Sequence, residues 1–263
     1  MKIKIGTRGS RLALAQADFA VRALEQKGYS CEIVVVSTRG DKDLTRPMRE
    51  LGKDLFVDAF SPLLRSGKID LAVHSCKDLP AGEEYDDFFA LCRADERDVL
   101  VFRKGAEINR IGTGSARRQA ELSRLYPQAE FLPVRGNLDT RIKKLLGGEY
   151  DALALAKAGL DRLGIKETEE LGMRVFAVEE CLPAPCQGII ALQGEIGREI
   201  GNEQLTVTAR IERKLQRELG ADCASGVGCL LKDGVLSACK GGRRASLPYT
   251  GEESIHRLAE VLK

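Results

Sequence analysis

Several residue types that commonly mark a function are scarce in this chain of 263 residues. It has no tryptophan, aromatic residues make up 5% of it, and 41 basic against 39 acidic residues give a net charge of +2. Nucleic-acid-binding proteins usually combine a strong basic excess with aromatic side chains on which bases stack. The composition therefore argues against nucleic acid as a partner. An anionic ligand has to be met by local clusters of basic residues.

Metal ligands, disulfide patterns and long apolar segments are also missing. There are two histidines, His74 and His256, and the eight cysteines form no C-x-x-C pair. No apolar run approaches the roughly 20 residues that span a membrane, and no apolar leader precedes the first strand. We expect no metal site, no membrane partner, reduced thiols and a cytoplasmic location. The length suggests about two domains.

The stretch from Val73 to Pro80 is the first that indicates a site. The apolar run Ile69 to Val73 predicts a buried strand, and open α/β sheets bind ligands at the carboxyl ends of such strands. We expect the following polar residues in the loop after this strand: His74, Ser75, Lys77 and Asp78. For Lys77 and Asp78 alone, a solvated ion pair in a turn is the competing interpretation.

A second candidate lies near the N-terminus, where a strand from Lys2 to Thr7 leads into a helix from Arg11 to Lys27. Ser10 is a plausible N-cap, and Arg8 adds a fork of donors to the backbone N–H groups that such a junction points at an anion. A purely capping role for Ser10 is the alternative. The charged segment from Thr38 to Lys53 has no apolar periodicity and reads as a loop, either a lid or a simple connection.

Two internal echoes predict a duplicated architecture. The pattern Ile5–Ser10 recurs at Ile111–Ser115, and Leu63–Val73 is echoed by Leu145–Leu155. We infer two similar α/β lobes around a cleft, as in two-lobed anion-binding proteins; chance similarity of short α/β units is the alternative.

Arginines recur at predicted strand ends and helix starts of the second lobe. Two of them begin the helix after Gly114, where the helix dipole disfavours cations unless an anion is bound. The set indicates a cleft for a polyanion and consists of Arg117, Arg118, Arg135, Arg141 and Arg162.

The Pro-rich segment Cys181–Gly188 leads into an apolar strand that returns the chain to the first lobe. We expect a discontinuous first lobe of residues 1–94 and 187–207, a second lobe of 95–186, and a small α+β C-terminal domain of 208–263. In that last domain a hairpin turns at Lys232–Gly234, and Cys223 lies in a loop of small residues.

Together, these motifs resemble the porphobilinogen deaminase (hydroxymethylbilane synthase) family over nearly the whole chain and in the family's order. The matching stretches are Gly6–Gln16, His74–Pro80, Gly112–Gln119, Arg135–Arg141 and Ala158–Gly164. The resemblance implies two lobes built like periplasmic binding proteins and a third domain. It also implies a monomer that joins four porphobilinogen molecules head to tail, with loss of ammonia, on a growing oligopyrrole that water finally releases as hydroxymethylbilane.

The resemblance also implies roles for individual residues. Asp78 matches the catalytic aspartate, and Cys223 matches the cysteine that carries a dipyrromethane cofactor through a thioether. Further positions match cofactor contacts, namely Ser75, Lys77, Thr113, Ser115, Arg117, Arg118 and Arg141. Others match substrate contacts, namely Arg8, Ser10, Lys53, Arg135 and Arg162.

Some positions depart from the family pattern. Cys76 replaces a methionine, Cys186 stands where glycine is common, and Gln193 stands where an acidic residue is usual. The run after Cys223, Ala224-Ser225-Gly226, also differs, so Cys229 is a second possible attachment site. A two-lobed cytoplasmic receptor for small polycarboxylates is the alternative function, although it has no need of Asp78 or of an accessible cysteine.

Overall fold

Two compact units make up the computed structural model, which describes residues 2–38, 57–220 and 226–263. The first unit comprises Met1–Ala94 and Gly188–Arg210, and the second comprises Asp95–Gln187 and Ile211–Lys263. The C-terminal residues thus cluster with the second unit, and a separate third domain stays a prediction. In the described ranges no helix has both the length and the apolar character needed to cross a membrane.

The first unit is built on a five-stranded sheet. Its strands are β1 (Lys2–Thr7), β2 (Ser30–Val35), β3 (Leu71–Ser75), β4 (Phe89–Arg93) and β10 (Ile189–Gln193), and its helices include α1 (Arg11–Glu25) and α2 (Ser61–Arg65). The strand order is β2-β1-β3-β10-β4. Strand β1 is parallel to both neighbours, whereas β10 is antiparallel to β3 and β4. Strand β10, which follows the Pro-rich segment, therefore lies in the first sheet between β3 and β4.

The second unit contains a matching five-stranded sheet. Its strands are β5 (Asp98–Arg103), β6 (Arg110–Gly112), β7 (Glu130–Leu132), β8 (Ala152–Ala156) and β9 (Leu171–Val175), and its helices include α3 (Ala116–Leu122), α4 (Leu138–Leu146) and α5 (Lys157–Arg162). The order is β7-β6-β8-β5-β9, with β6 parallel to both neighbours and β5 antiparallel to β8 and β9. Position by position, this repeats the first sheet. The predicted duplication is confirmed.

The chain ends in a three-stranded antiparallel sheet with two helices. Its elements are α6 (Glu203–Glu218), β11 (Gly228–Lys232), β12 (Val235–Lys240), β13 (Arg243–Pro248) and α7 (Glu252–Leu262). The predicted hairpin is present, and Asp233 and Gly234, with φ of 50° and 75°, supply the two left-handed residues that such a turn requires. Strand β13 was not expected from the sequence.

Apolar spacing explains how the first sheet acquires its core. Ile3 and Ile5 alternate inward on β1, and Ala17, Ala20 and Leu24 form one stripe of α1 that packs against the same cluster. All five side chains are fully buried. This packing fixes the junction between β1 and α1, where two of the predicted site residues lie.

The structure corrects one strand boundary. His74 and Ser75 were expected in a loop, but they belong to β3, because β10 pairs with them opposite Ala191 and Ile190. Only the next three residues turn, as a short 3₁₀ helix from Cys76 to Asp78. The sequence prediction ended the strand at the last apolar residue, Val73. A polar residue can still continue the backbone hydrogen bonds of a sheet, so the strand extends further.

Cys186, where the family commonly has glycine, has a left-handed backbone with φ of 60°. A side chain there costs roughly 1–2 kcal/mol relative to glycine. Cys186→Gly and Cys186→Ala both remove the buried sulfur, but only glycine relieves the backbone. We therefore expect the glycine variant to unfold at higher urea concentration than the alanine variant, by about 1 kcal/mol in free energy of unfolding. Equal stabilities of the two variants would contradict this explanation of the substitution.

Candidate functional site

A pocket lies at the carboxyl ends of the neighbouring parallel strands β1 and β3. It is lined by Arg8, Ser10, Leu12, Ala13, Gln16, Val57, Val73, His74, Ser75 and Asp78. Four residues predicted from two distant stretches, Arg8, Ser10, Ser75 and Asp78, thus meet in one place. Parallel pairing explains this, because it puts the ends of both strands at the same edge of the sheet.

Hydrogen bonds fix the walls of this pocket. The Ser10 hydroxyl accepts from the Ala13 backbone N–H at 3.2 Å and so caps α1 as predicted. Gln16, which is 4% exposed, joins the Ser75 hydroxyl through its amide nitrogen at 2.9 Å. Helix α1 is thereby tied to the last residue of β3. Ser10 both caps the helix and lines the pocket, so the two interpretations of this residue are compatible.

His74 is an uncharged wall of the pocket. Its side chain is buried, and its ring meets Phe60 edge-on with 4.8 Å between ring centroids. Burial, assisted by the positive charge of Arg8 and opposed by the Gln193 side chain, lowers the pKa of His74 to about 4. The imidazole is therefore neutral at physiological pH.

Asp78 ends the short 3₁₀ helix and is exposed at the pocket, whereas the preceding Cys76 is fully buried beneath the turn. A buried cysteine at this position acts as apolar filling. Lys77 is half-buried in the same turn but does not line the pocket. Of the predicted lysine and aspartate, only the carboxylate thus reaches this pocket.

In the second unit, the predicted polar residues follow the three adjacent parallel strands β7, β6 and β8. They therefore lie toward one edge of the sheet. Thr113, Ser115, Arg117 and Arg118 follow β6, Arg135 and Arg141 follow β7, and Arg162 ends the helix after β8. Ser115 caps α3 by accepting from the Arg118 backbone N–H, and the Arg141 Nε donates to the Gly136 carbonyl oxygen at 2.8 Å.

The two arginines that begin α3 share one internal carboxylate. Asp98, at the start of β5, is 0% exposed and lies 2.6 Å from Arg117 Nη1 and 2.8 Å from Arg118 Nε. The Gln187 amide donates to the same carboxylate at 3.0 Å. Two arginines in the first turn of a helix are expected to need an anion, and Asp98 of the same chain is that anion. Binding of an external anion by Arg117 and Arg118 stays a prediction.

This cluster carries more positive than negative charge. Burial alone would raise the pKa of the Asp98 carboxyl, but the charges of Arg117 and Arg118 outweigh it and hold that pKa well below its usual range. Two guanidinium groups then face one carboxylate. The buried Nε of Arg117 has no hydrogen-bond partner. Arg118, whose donors also reach the Ala154 carbonyl and the Gln187 side chain, uses part of its fork internally.

Sequence reasoning missed Asp98. The available signal was an aspartate directly before the apolar run Val99–Phe102. Since β5 is antiparallel to β8, with Asp98 opposite Ala156, the start of β5 lies at the edge where β8 ends. Only the strand order reveals this, because β5 precedes β8 by some fifty residues in the chain.

Two predicted site residues, Lys53 and Cys223, lie outside the described residues, as does most of the possible lid. Gly226 is three positions after Cys223 in the sequence. A Cβ added at Gly226 would lie 3.6 Å from the Arg117 backbone nitrogen. The alternative attachment site, Cys229, is 0% exposed within the C-terminal core. A buried thiol cannot be alkylated without local opening, so Cys229 is a poor attachment site.

Fold and site together define a duplicated α/β protein with basic and hydroxyl side chains at the carboxyl ends of parallel strands in both units. Residues 3–200 match the family model "Porphobilinogen deaminase, dipyromethane cofactor binding domain". The chain is 40% identical over 242 residues to a "Probable porphobilinogen deaminase" of Archaeoglobus fulgidus, covering 87% of this chain and 83% of that protein. It is 44% identical over 204 residues to a porphobilinogen deaminase of Acetivibrio thermocellus, covering 73% and 68%.

The chain belongs to the porphobilinogen deaminase family. Among solved structures, it is similar to the periplasmic VFT2 domain of Bordetella pertussis BvgS, with 16% identity, a TM-score of 0.43, and coverage of 81% of this chain and 86% of that domain.

We expect His74 to make folding sensitive to mild acid. Its pKa is about 4 in the folded protein against 6.5 unperturbed, so the unfolded chain takes up the proton first. Stability should be full above pH 6.5 and fall as the pH drops toward 4, by roughly 3 kcal/mol from this group. Urea unfolding at several pH values should show a smaller loss for His74→Gln than for the unsubstituted protein. Parallel pH curves would contradict the assignment.

Removing the shared carboxylate should be costly. Asp98→Asn leaves two buried guanidinium groups without their counter-charge, and we expect it to lower the free energy of unfolding by about 3 kcal/mol or more. Asp95→Asn is the control, since it breaks a partly exposed pair with Arg97 and should cost less than about 1 kcal/mol. Denaturant unfolding of both variants measures the difference, and equal losses would contradict a special role for Asp98.

Proposed function

We propose that this chain is a hydroxymethylbilane synthase. It condenses four porphobilinogen molecules head to tail, releases ammonia at each step, and frees linear hydroxymethylbilane by hydrolysis. The observation that carries this proposal is the pocket at the ends of β1 and β3, where Arg8, Ser10 and Ser75 surround an exposed Asp78. A carboxylate-bearing pyrrole needs a guanidinium and hydroxyl donors, and its condensation needs a fixed negative charge nearby.

The second unit has side chains that suit the dipyrromethane cofactor of this family. Its basic edge carries an excess of positive charge, and the buried Nε of Arg117 is without a partner. The pyrroles of the cofactor carry acetate and propionate groups, and the planar guanidinium of arginine is suited to bind such carboxylates. We assign the cofactor contacts to Thr113, Ser115, Arg117, Arg118 and Arg141, with Ser75 and Lys77 from the first unit and a thioether at Cys223. The cofactor supplies the primer pyrroles from which the chain grows.

Substrate and the growing oligopyrrole require replaceable cationic contacts, because every added pyrrole brings two carboxylates. We assign these contacts to Arg8, Ser10, Lys53, Arg135 and Arg162. Arginine suits the task because its planar fork binds a carboxylate with two parallel hydrogen bonds.

We assign the catalytic role to Asp78. Positive charge develops on the reacting pyrroles as ammonia leaves and the carbon–carbon bond forms. A carboxylate within reach of the pyrrole N–H groups stabilises that charge. His74 and Gln16 serve the same pocket by fixing its wall: the imidazole is neutral and so does not compete for the carboxylate. A receptor for polycarboxylates without catalysis does not require Asp78, and membership of this family disfavours it.

We further propose that the protein acts as a monomer in the cytoplasm, without nucleic-acid or membrane partners. The eight cysteines of the sequence form no C-x-x-C pair, which suits a reducing compartment.

Asp78→Asn tests the catalytic assignment. The substitution keeps the size of the side chain but removes its charge, so we expect substrate binding to persist while turnover, measured as ammonia and hydroxymethylbilane release, falls at least about a hundredfold. Asp87→Asn is the control, because this exposed carboxylate lies nearby in the chain but does not line the pocket. Unchanged turnover in Asp78→Asn, or an equal loss in Asp87→Asn, would contradict the assignment.

A further inference from the structure

Helix α3, which carries the paired arginines, holds the backbone of the Pro-rich crossing segment, Cys181–Gly188, at a single residue, Leu182. Arg117 Nη1 donates to the Leu182 carbonyl oxygen at 2.6 Å, and the Leu182 N–H donates to Glu121 Oε2 at 3.2 Å. Arg117 and Glu121 are four residues apart and so lie on the same face of the helix. Both polar groups of Leu182 are therefore bound by the helix.

The start of β11 rests on this same segment. The Cys229 N–H donates to the Pro183 carbonyl oxygen at 2.9 Å. A Cβ added at Gly228 would come within 2.9 Å of the Leu182 carbonyl oxygen, so the two backbones are in close contact and only glycine fits there. The first residues of β11 therefore lie against the crossing segment, and Gly226, just before β11, lies beside Arg117 of α3.

Arg244 on β13 ties the other side of the C-terminal sheet to the same helix. It donates to Glu121 Oε2 and to the carbonyl oxygens of Glu179 and Val178. Glu121 is 2% exposed, so this is a buried carboxylate that needs a counter-charge. Arg244 supplies it from a strand joined through β12 to β11. One carboxylate thus anchors both the crossing segment and the C-terminal sheet.

We propose that the Arg244–Glu121 pair is a positioning device that holds the start of β11 in register with the arginines of α3, and thereby sets how fast the cofactor is loaded. This inference rests on the proposed function. Cys223 precedes Gly226 by three residues, so the position of Gly226 limits where an attached group can meet Arg117 and Arg118. Neither Arg244 nor Glu121 is assigned a contact with cofactor or substrate.

The test uses full-length protein from a host that cannot make porphobilinogen. Arg244→Gln, Glu121→Gln, the double variant and Arg244→Lys are incubated with porphobilinogen, and the dipyrromethane increment on Cys223 is followed over time by intact mass. Arg243→Gln is the matched control, because this neighbouring arginine is exposed and donates to the Lys263 carbonyl oxygen, away from Glu121. Thermal unfolding is recorded for every variant, and loading is compared well below each transition.

We expect each single glutamine variant to load about tenfold more slowly, and the double variant no more slowly than the worse single variant, because the two residues act as a unit. Arg244→Lys should recover part of the rate, and Arg243→Gln should match the unsubstituted protein. Turnover per loaded molecule should stay within about twofold in every variant. Amide exchange at Cys229 should rise in step with the loss of loading.

Two results would contradict the proposals, and they are distinguishable. In the first, Arg244→Gln and Glu121→Gln take up the cofactor as fast as the unsubstituted protein and differ from it only in a lower melting temperature. The pair is then merely structural, and the inference is wrong. If the unsubstituted protein itself gains no mass on Cys223, the proposed function fails and this inference fails with it.

Discussion

The second unit depends on a buried carboxylate between two guanidinium groups. Asp98 has no exposure to solvent, and it is tolerated because Arg117 and Arg118 lie within 2.8 Å. The pair in turn begins helix α3, against its dipole, only because this counter-charge is present. Since one carboxylate does not balance two cations, the same constraint leaves positive charge at the edge of the sheet. The cluster that stabilises the interior of this unit is therefore also the one for which we propose contacts with acidic ligands.

The duplicated sheets give this chemistry its geometry. In both units a central strand is parallel to its two neighbours, so residues far apart in sequence end at one edge. In the first unit that edge forms a pocket with an exposed carboxylate, and in the second it holds a cluster of arginines, of which Arg117 and Arg118 are buried. Within the second unit, the C-terminal sheet is joined to α3 by the pair of Arg244 with Glu121, which lies in the last turn of the helix whose first turn carries the arginines.

Much of this could be predicted from the sequence. The duplication and the N-cap at Ser10 follow from local patterns, and the meeting of Arg8, Ser10, Ser75 and Asp78 follows once β1 and β3 are paired in parallel. Asp98, Glu121 and Arg244 could not be predicted, because their partners depend on strand order and on packing between distant segments. His74 was predicted to lie in a loop because it is polar, although its backbone continues the hydrogen bonding of β3 with β10. The left-handed backbone at Cys186 could not be predicted, because cysteine is not a residue type that favours this conformation.

The central claim is that the basic edge of the second unit serves a dipyrromethane attached to Cys223. The most direct measurement is the intact mass of the purified protein before and after incubation with porphobilinogen, with peptide mapping around Cys223 and Cys223→Ala as the control. We predict a mass increment of one dipyrromethane on Cys223, absent from the alanine variant. A chain that stays unmodified after incubation, or that is modified equally in Cys223→Ala, would contradict the claim.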